Sequence, residues 1–324
     1  MSYIERINAA IRARIAGTDR LVCFGQNISA GSCLSGLTRG LPAGGGIEVI
    51  DTPNCENALV AFGFGLMLEG VDSIFFVKQL DFLLLACDQL VNTYNMSRLR
   101  SGIGSFTIVP IVVDSGFEGP QSRLNNLADL CSLADLPGFT LAEASAAERI
   151  IDQQLIAPGF RILALSQRLF RTESTPASET PAEPVDAQAG LFRLASGDDA
   201  TLVAFNFSWP QARQLRGELA ERGIEATLFG VAACDPPDWD AIADSVARTG
   251  RLILLDDSRS RNRPADRLRA VLADRGIPHA VLPLYRPIDV RDLAPNADRF
   301  EVKTSHVQEW LHKTHPRGAG SIHG

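Results

Sequence analysis

Twice along this 324-residue chain, short apolar runs rich in β-forming residues alternate with stretches of helical periodicity, and a proline-punctuated segment separates the two series. In the first series RLVCF (20–24), SIFFV (73–77), FTIVPIVV (106–113) and RILAL (161–165) read as buried strands, with helical patterns at 53–69, 83–99 and 145–154. In the second, strands at 201–205, 226–229, 251–256 and 280–283 alternate with helices at 210–222 and 264–275. Strands separated by helical crossovers pair in parallel, so each half is expected to be an α/β unit around a parallel sheet. The segment 171–190 (RTESTPASETPAEPVDAQAG) lacks apolar periodicity and carries Pro176, Pro181 and Pro184, which reads as an extended interdomain linker.

Composition narrows the function. Apolar residues make up 45% of the chain, enough for two cores. A net charge of −7 with few local basic clusters argues against a nucleic-acid partner. The longest apolar runs, such as 82–87, are too short to cross a bilayer, and the first residues lack a signal-peptide apolar stretch. A cytoplasmic location with no membrane role is expected. The six cysteines show no CxxC pair and no metal-ligand spacing, so they read as buried, reduced thiols.

The segment 50–70 (IDTPNCENALVAFGFGLMLEG) carries the most chemistry. Thr52 is the expected N-cap and Pro53 the first helical residue, which puts Glu56 in the first turn. A carboxylate there is favoured by the helix dipole without any catalytic role. Gly63, Gly65 and Gly70 suit close helix packing and a helix stop.

DTPNCE (51–56) resembles the D-T-P-x-x-E segment of 2-oxoacid dehydrogenase β subunits, and of transketolase and deoxyxylulose-phosphate synthase. The similarity continues through FVKQLDFLLLACDQLVN (76–92), with its Asp88-Gln89 pair, then PIVVD (110–114) and LPGF (136–139). In the second half it covers 199–205, IEATLF (224–229) and RLILLDD (251–257). The resemblance implies a two-domain α/β fold: a pyrimidine-binding transketolase-like domain over 1–172, a linker at 173–190 and a transketolase C-terminal-like domain over 191–324.

The resemblance also implies thiamine diphosphate as cofactor. The family's matching glutamate, here Glu56, contacts a ring nitrogen of the aminopyrimidine. A carboxylate sharing a proton there favours the imino tautomer, which deprotonates the thiazolium carbon. Phe82 falls where the family stacks an aromatic ring on the aminopyrimidine. The chain has no G-D-G motif with a downstream Asn, by which the family binds the diphosphate through Mg²⁺. An α-type partner is therefore expected to hold Mg²⁺ and the diphosphate, in an α2β2 assembly.

Two departures bear on the reaction. All five histidines lie at or beyond position 279, so the loop after the P-I-V strand (115–126) lacks the family's His, and Ser122, Arg123 or Asn125 occupies its place. FGQNI (24–28) stands where dehydrogenase β subunits have G-E-E, and neutral Gln26 and Asn27 can bind substrate but cannot act as bases. The expected reaction makes or breaks a carbon–carbon bond beside a carbonyl, on a 2-oxo acid or ketose donor, in a carboligase or transketolase manner. Acyl transfer to a lipoyl domain, as in pyruvate or branched-chain dehydrogenases, is the alternative, and a non-catalytic scaffold is the rival class. LDDSRSRNR (255–263) reads as a solvated loop or an anion or partner contact, and His306, His312, His315 and His323 as a disordered polar tail.

Overall fold

The computed structural model describes residues 1–100, 103–115, 125–173, 182–236, 238–286 and 300–314. The first unit is built on β1 (Leu21–Gly25), β2 (Ile47–Asp51), β3 (Ser73–Val77), β4 (Ser105–Val112), β5 (Gly138–Thr140) and β6 (Gly159–Ser166). Their order is β2-β1-β3-β4-β6-β5, and every pairing is parallel. β3 and β4 are buried along their whole length, which explains their unbroken apolar runs. The helices are α1 (Tyr3–Ala16), α2 (Glu56–Leu68), α3 (Tyr94–Ser97), α4 (Leu127–Ser132) and α5 (Ala144–Gln154). α2 lies close on the sheet because Gly63 faces the Phe106 ring, where a Cβ would stand 2.2 Å from ring carbons. The Phe24 and Phe75 rings stack beneath, with centroids 5.0 Å apart.

The second unit contains β7 (Glu183–Asp186), β8 (Leu191–Ala195), β9 (Ala200–Phe205), β10 (Ala226–Val231), β11 (Arg251–Asp256) and β12 (Ala280–Tyr285). Their order is β12-β11-β9-β10-β8-β7, parallel from β12 to β10 and antiparallel at β8 and β7. α6 (Trp209–Ala220), α7 (Asp240–Thr249), α8 (Pro264–Asp274) and α9 (Thr304–Lys313) complete it. Among the described residues no helix is long and apolar enough to cross a membrane.

Four expectations change. The proline-rich segment is not all extended linker, because Glu183–Asp186 pairs with β8 as an exposed edge strand, and an edge is where Pro184 is tolerated. The 83–99 helix is a composite: a 3₁₀ segment Leu80–Ala86, a π segment Gln89–Thr93 and then α3. The polar tail is helical over α9, which buries Val307 and Leu311; His306 and His312 lie on it, while His315 and His323 fall outside the described residues. The 255–263 stretch is not a solvated loop, since Asp256, Asp257, Ser258 and Ser260 are buried.

Buried charge and backbone pairing join the units. Arg168, after β6, bridges Asp114, after β4, and Asp257, after β11. The Arg213 guanidinium donates to both Glu143 carboxylate oxygens at 2.6 and 2.7 Å. Thr140 N–H donates to Ala232 O at 2.8 Å and Cys234 N–H to Gly138 O at 2.9 Å, so β5 pairs with the chain leaving β10.

Candidate functional site

In an open parallel sheet, ligands bind beyond the carboxyl ends of the strands, at the point where chain connections depart in opposite directions. In the first unit β2 lies on one side of β1 and β3 on the other, so that point falls between β1 and β3. Gly25 ends β1 there. A Cβ on it would stand 2.3 Å from Phe76 O, so only glycine lets the two strand ends approach.

Glu56 and the other expected site residues in the described chain, except Asn125, follow the ends of these strands. Half-buried Gln26 and exposed Asn27 follow β1, Asn27 with a left-handed φ of 54°. Asp51, the last residue of β2, grips this loop: its carboxylate accepts from Ile28 N–H at 2.6 Å, from Ser29 N–H at 3.2 Å and from the Ser29 hydroxyl. The Ser29 hydroxyl, ahead of the two amides, holds the Asp51 carboxyl below its ordinary range. Sequence reasoning gave the Asp of the D-T-P motif no role; its signal was a carboxylate at a strand end opposite a Ser-rich loop.

The residues after Asp51 are not helical as far as Cys55, which is the N-cap, so Glu56 itself opens α2. The helix begins later than the Thr52-Pro53 signal suggests because Thr52 N–H pairs with Gly25 O at 3.0 Å, which keeps the chain extended. Glu56 is 8% exposed and makes no hydrogen bond or ion pair with another described residue. The buried Thr52 Oγ1 also lacks a partner among the described residues. The Glu56 side chain and the buried Thr52 hydroxyl, both without a partner among the described residues, mark a place where an outside polar group can be received.

Phe82 is half-buried in the 3₁₀ segment that follows β3, and its N–H donates to Gln79 O at 3.1 Å. α2 packs on this segment, which brings the carriers of Glu56 and Phe82 together. Lys78 is exposed and Asp81 buried beside it. Asp88 and Gln89 bond within their own helical stretch, to Asn92 at 2.7 Å and Thr93 at 2.6 Å. Phe62 (45% exposed), Leu84 and Leu85 leave an apolar surface on α2 and the 3₁₀ segment.

The chain is related to known proteins along most of its length. Residues 192–298 match the transketolase C-terminal domain family. Pyruvate dehydrogenase E1 component subunit beta of Staphylococcus aureus is 24% identical over 297 residues, covering 89% of this chain and 88% of that one. The Staphylococcus epidermidis protein of the same name is 23% identical over the same span. A split-gene transketolase, solved as an inactive beta4 tetramer, superposes with a TM-score of 0.74 at 15% identity, over 97% of both chains. Campylobacter jejuni transketolase gives 0.67 at 12% identity, covering 97% of this chain and 46% of that one. This chain is a relative of the β-type subunits of thiamine-diphosphate enzymes.

Ser122 and Arg123 lie outside the described residues. Asn125 is buried: its side-chain oxygen accepts from Leu127 N–H at 3.2 Å, and its carbonyl accepts from Arg259 N–H at 2.7 Å. That geometry ties Asn125 to the start of α4 and to the second unit. The nearby Asp114 carboxyl is pushed up by burial, which outweighs the attraction of Arg168. Among the described residues there is no group of three or more His, Cys, Asp or Glu side chains able to hold a metal.

Proposed function

We propose that this chain is the cofactor-activating half of a heteromeric thiamine-diphosphate enzyme, with Glu56 as its acid–base carboxylate. The observation that carries the reading is Glu56 itself, buried, unpartnered among the described residues and set at the carboxyl edge of a parallel sheet. Bound thiamine diphosphate supplies an electron sink for a carbanion formed beside a carbonyl. Glu56 holds a proton at the aminopyrimidine ring nitrogen, and the open Thr52 hydroxyl adds a hydrogen bond beside it. Phe82 orients the pyrimidine by stacking. Gln26 and Asn27 orient the substrate's oxygens through neutral hydrogen bonds, with Ser122, Arg123 and Asn125 as further substrate contacts.

The diphosphate and its Mg²⁺ belong to an α-type partner with the G-D-G…N motif, in an α2β2 complex. Support comes from the absence of G-D-G in this sequence and from the exposed Phe62, Leu84 and Leu85, since clustered apolar surface marks a contact face. The six unpaired cysteines fit a cytoplasmic setting.

The reaction cleaves or forms a carbon–carbon bond on a 2-oxo acid or ketose donor, in a carboligase or transketolase manner. Neutral Gln26 and Asn27, where dehydrogenase β subunits carry G-E-E, support this over acyl transfer, and the missing histidine sets the chain apart from both types. A second reading, acyl transfer to a lipoyl domain, is favoured by the relatives named pyruvate dehydrogenase E1 component subunit beta. The test is co-expression with the α-type chain and titration with thiamine diphosphate and Mg²⁺, followed by assays with an aldehyde and with a lipoyl domain. Cofactor binding by the pair is expected, and its absence would overturn the reading. Turnover with the aldehyde supports carboligation, and turnover with the lipoyl domain alone overturns it in favour of the dehydrogenase.

A further inference from the structure

A cleft of about 710 Å³ lies between the units, and its wall includes Cys131 from α4 and Cys234 from the chain leaving β10. Sequence separates these cysteines widely; the fold brings them together. Both sulfurs converge on Gly138. Gly138 leaves the room for this: a Cβ there would stand 2.3 Å from Cys131 Sγ and 3.4 Å from Cys234 Sγ. The backbone fixes both partners, since Leu136 N–H donates to Cys131 O at 2.9 Å and Cys234 N–H to Gly138 O at 2.9 Å. The other four cysteines form no such pair: Cys23 is sealed in the first core, Cys33 and Cys87 are half-buried, and Cys55 is exposed.

We infer that Cys131 and Cys234 are a redox modification site, a dithiol that a small peroxide entering the cleft converts into a disulfide joining the two units. The neighbouring Cys131 thiol, and then burial, push the Cys234 thiol up, which leaves Cys131 as the sulfur that reacts first. The Cys131 sulfur attacks the peroxide oxygen, the O–O bond breaks, and the departing hydroxide or alkoxide takes the proton given up by the Cys131 thiol and leaves as water or an alcohol, with Cys131 now a sulfenic acid. Cys234 sulfur then attacks Cys131 sulfur and expels hydroxide, which takes the Cys234 proton and departs as water. Two thiols are oxidised by two electrons, and one peroxide is reduced. The disulfide joins sulfurs that already flank Gly138 and closes a long loop.

This inference does not depend on the cofactor reading, and its test needs no cofactor. The full chain is titrated with hydrogen peroxide, unfolded in an alkylating reagent, and its peptides are mapped without reduction. The expected product is a linked peptide pair carrying Cys131 and Cys234, two hydrogens lighter than the reduced pair and restored by dithiothreitol. In Cys234→Ser, the sulfenic acid is expected to be trapped at Cys131, and circular dichroism checks that the variant is folded. If peroxide oxidises exposed Cys55 while Cys131 and Cys234 remain alkylatable, the inference is wrong. Pairing of either with a different cysteine overturns it equally.

Discussion

The two sheets end in opposite ways. At the carboxyl edge of the first, Glu56 and the Thr52 hydroxyl are buried with no partner among the described residues. At that of the second, neighbouring groups hold the carboxylates: Asp256 Oδ1 accepts from Asn206 Nδ2 at 2.9 Å and from Ser258 N–H at 2.9 Å while its buried Oδ2 has no partner among the described residues, and Asp257 takes Phe207 N–H at 3.0 Å together with Arg168. The same strand-end geometry carries few internal contacts in one unit and an interunit joint in the other. Fold alone does not make a site; what engages the groups at each strand edge decides.

Breaking the open edge gives the largest effect. Glu56→Gln in the assembled enzyme is expected to lower turnover by about 10²–10⁴-fold, the usual contribution of a positioned acid–base group. The measurement is steady-state turnover with saturating cofactor, and an unchanged rate would remove Glu56 from the chemistry. Breaking the closed edge acts on stability instead. Arg168→Met leaves Asp114 and Asp257 buried without their shared cation, and is expected to destabilise the chain by about 3–5 kcal/mol. Urea unfolding would show it. A loss under about 1 kcal/mol would mean that backbone pairing at β5 and the Arg213–Glu143 pair hold the units together unaided.

Legibility followed the same divide. Apolar runs such as SIFFV placed β3 correctly because full burial leaves an unbroken pattern, and Glu56 stands in the first turn of α2 as its local spacing from the strand end suggested. β7 was illegible because an exposed edge strand carries no apolar signal. The start of α2 was missed because the Thr52–Gly25 bond is long-range and overrides the local N-cap preference. The burial of Asp257 is matched by Arg168, some ninety residues away, a pairing that no local pattern announces.

pH separates the edges further. Burial, the largest influence, pushes the Asp256 carboxyl up to about 6 against the bonds from Ser258 and Asn206. A raised carboxyl pKa contributes stability that is fully present below the unfolded value and lost as pH rises through 6. The difference from the ordinary 3.8 corresponds to about 3 kcal/mol between acid and neutral pH. Asp256→Asn keeps an oxygen for Asn206 and Ser258 and removes the titration. Its unfolding free energy is expected to fall less steeply than that of the unaltered protein from pH 4 to 7. Parallel curves would show that Asp256 is not the titrating group.

Asp51 supplies the opposite sign with a smaller effect. It too is a carboxylate at a strand end that holds the next loop, but it faces solvent, and the Ser29 hydroxyl and amides keep its pKa below the ordinary value. Its contribution is therefore present above the unfolded pKa and lost as pH falls through the folded one. Asp51→Ala removes the acceptor for Ile28 N–H and Ser29 N–H and is expected to cost about 1–2 kcal/mol. Hydrogen exchange is the discriminating measurement. Faster exchange at Ile28 and Ser29, with α2 unaffected, would show that Asp51 fixes the Gln26–Asn27 loop independently of the helix that carries Glu56. Equal loosening of both would mean that loop and helix start form one cooperative unit, and that Asp51 organises the whole open edge.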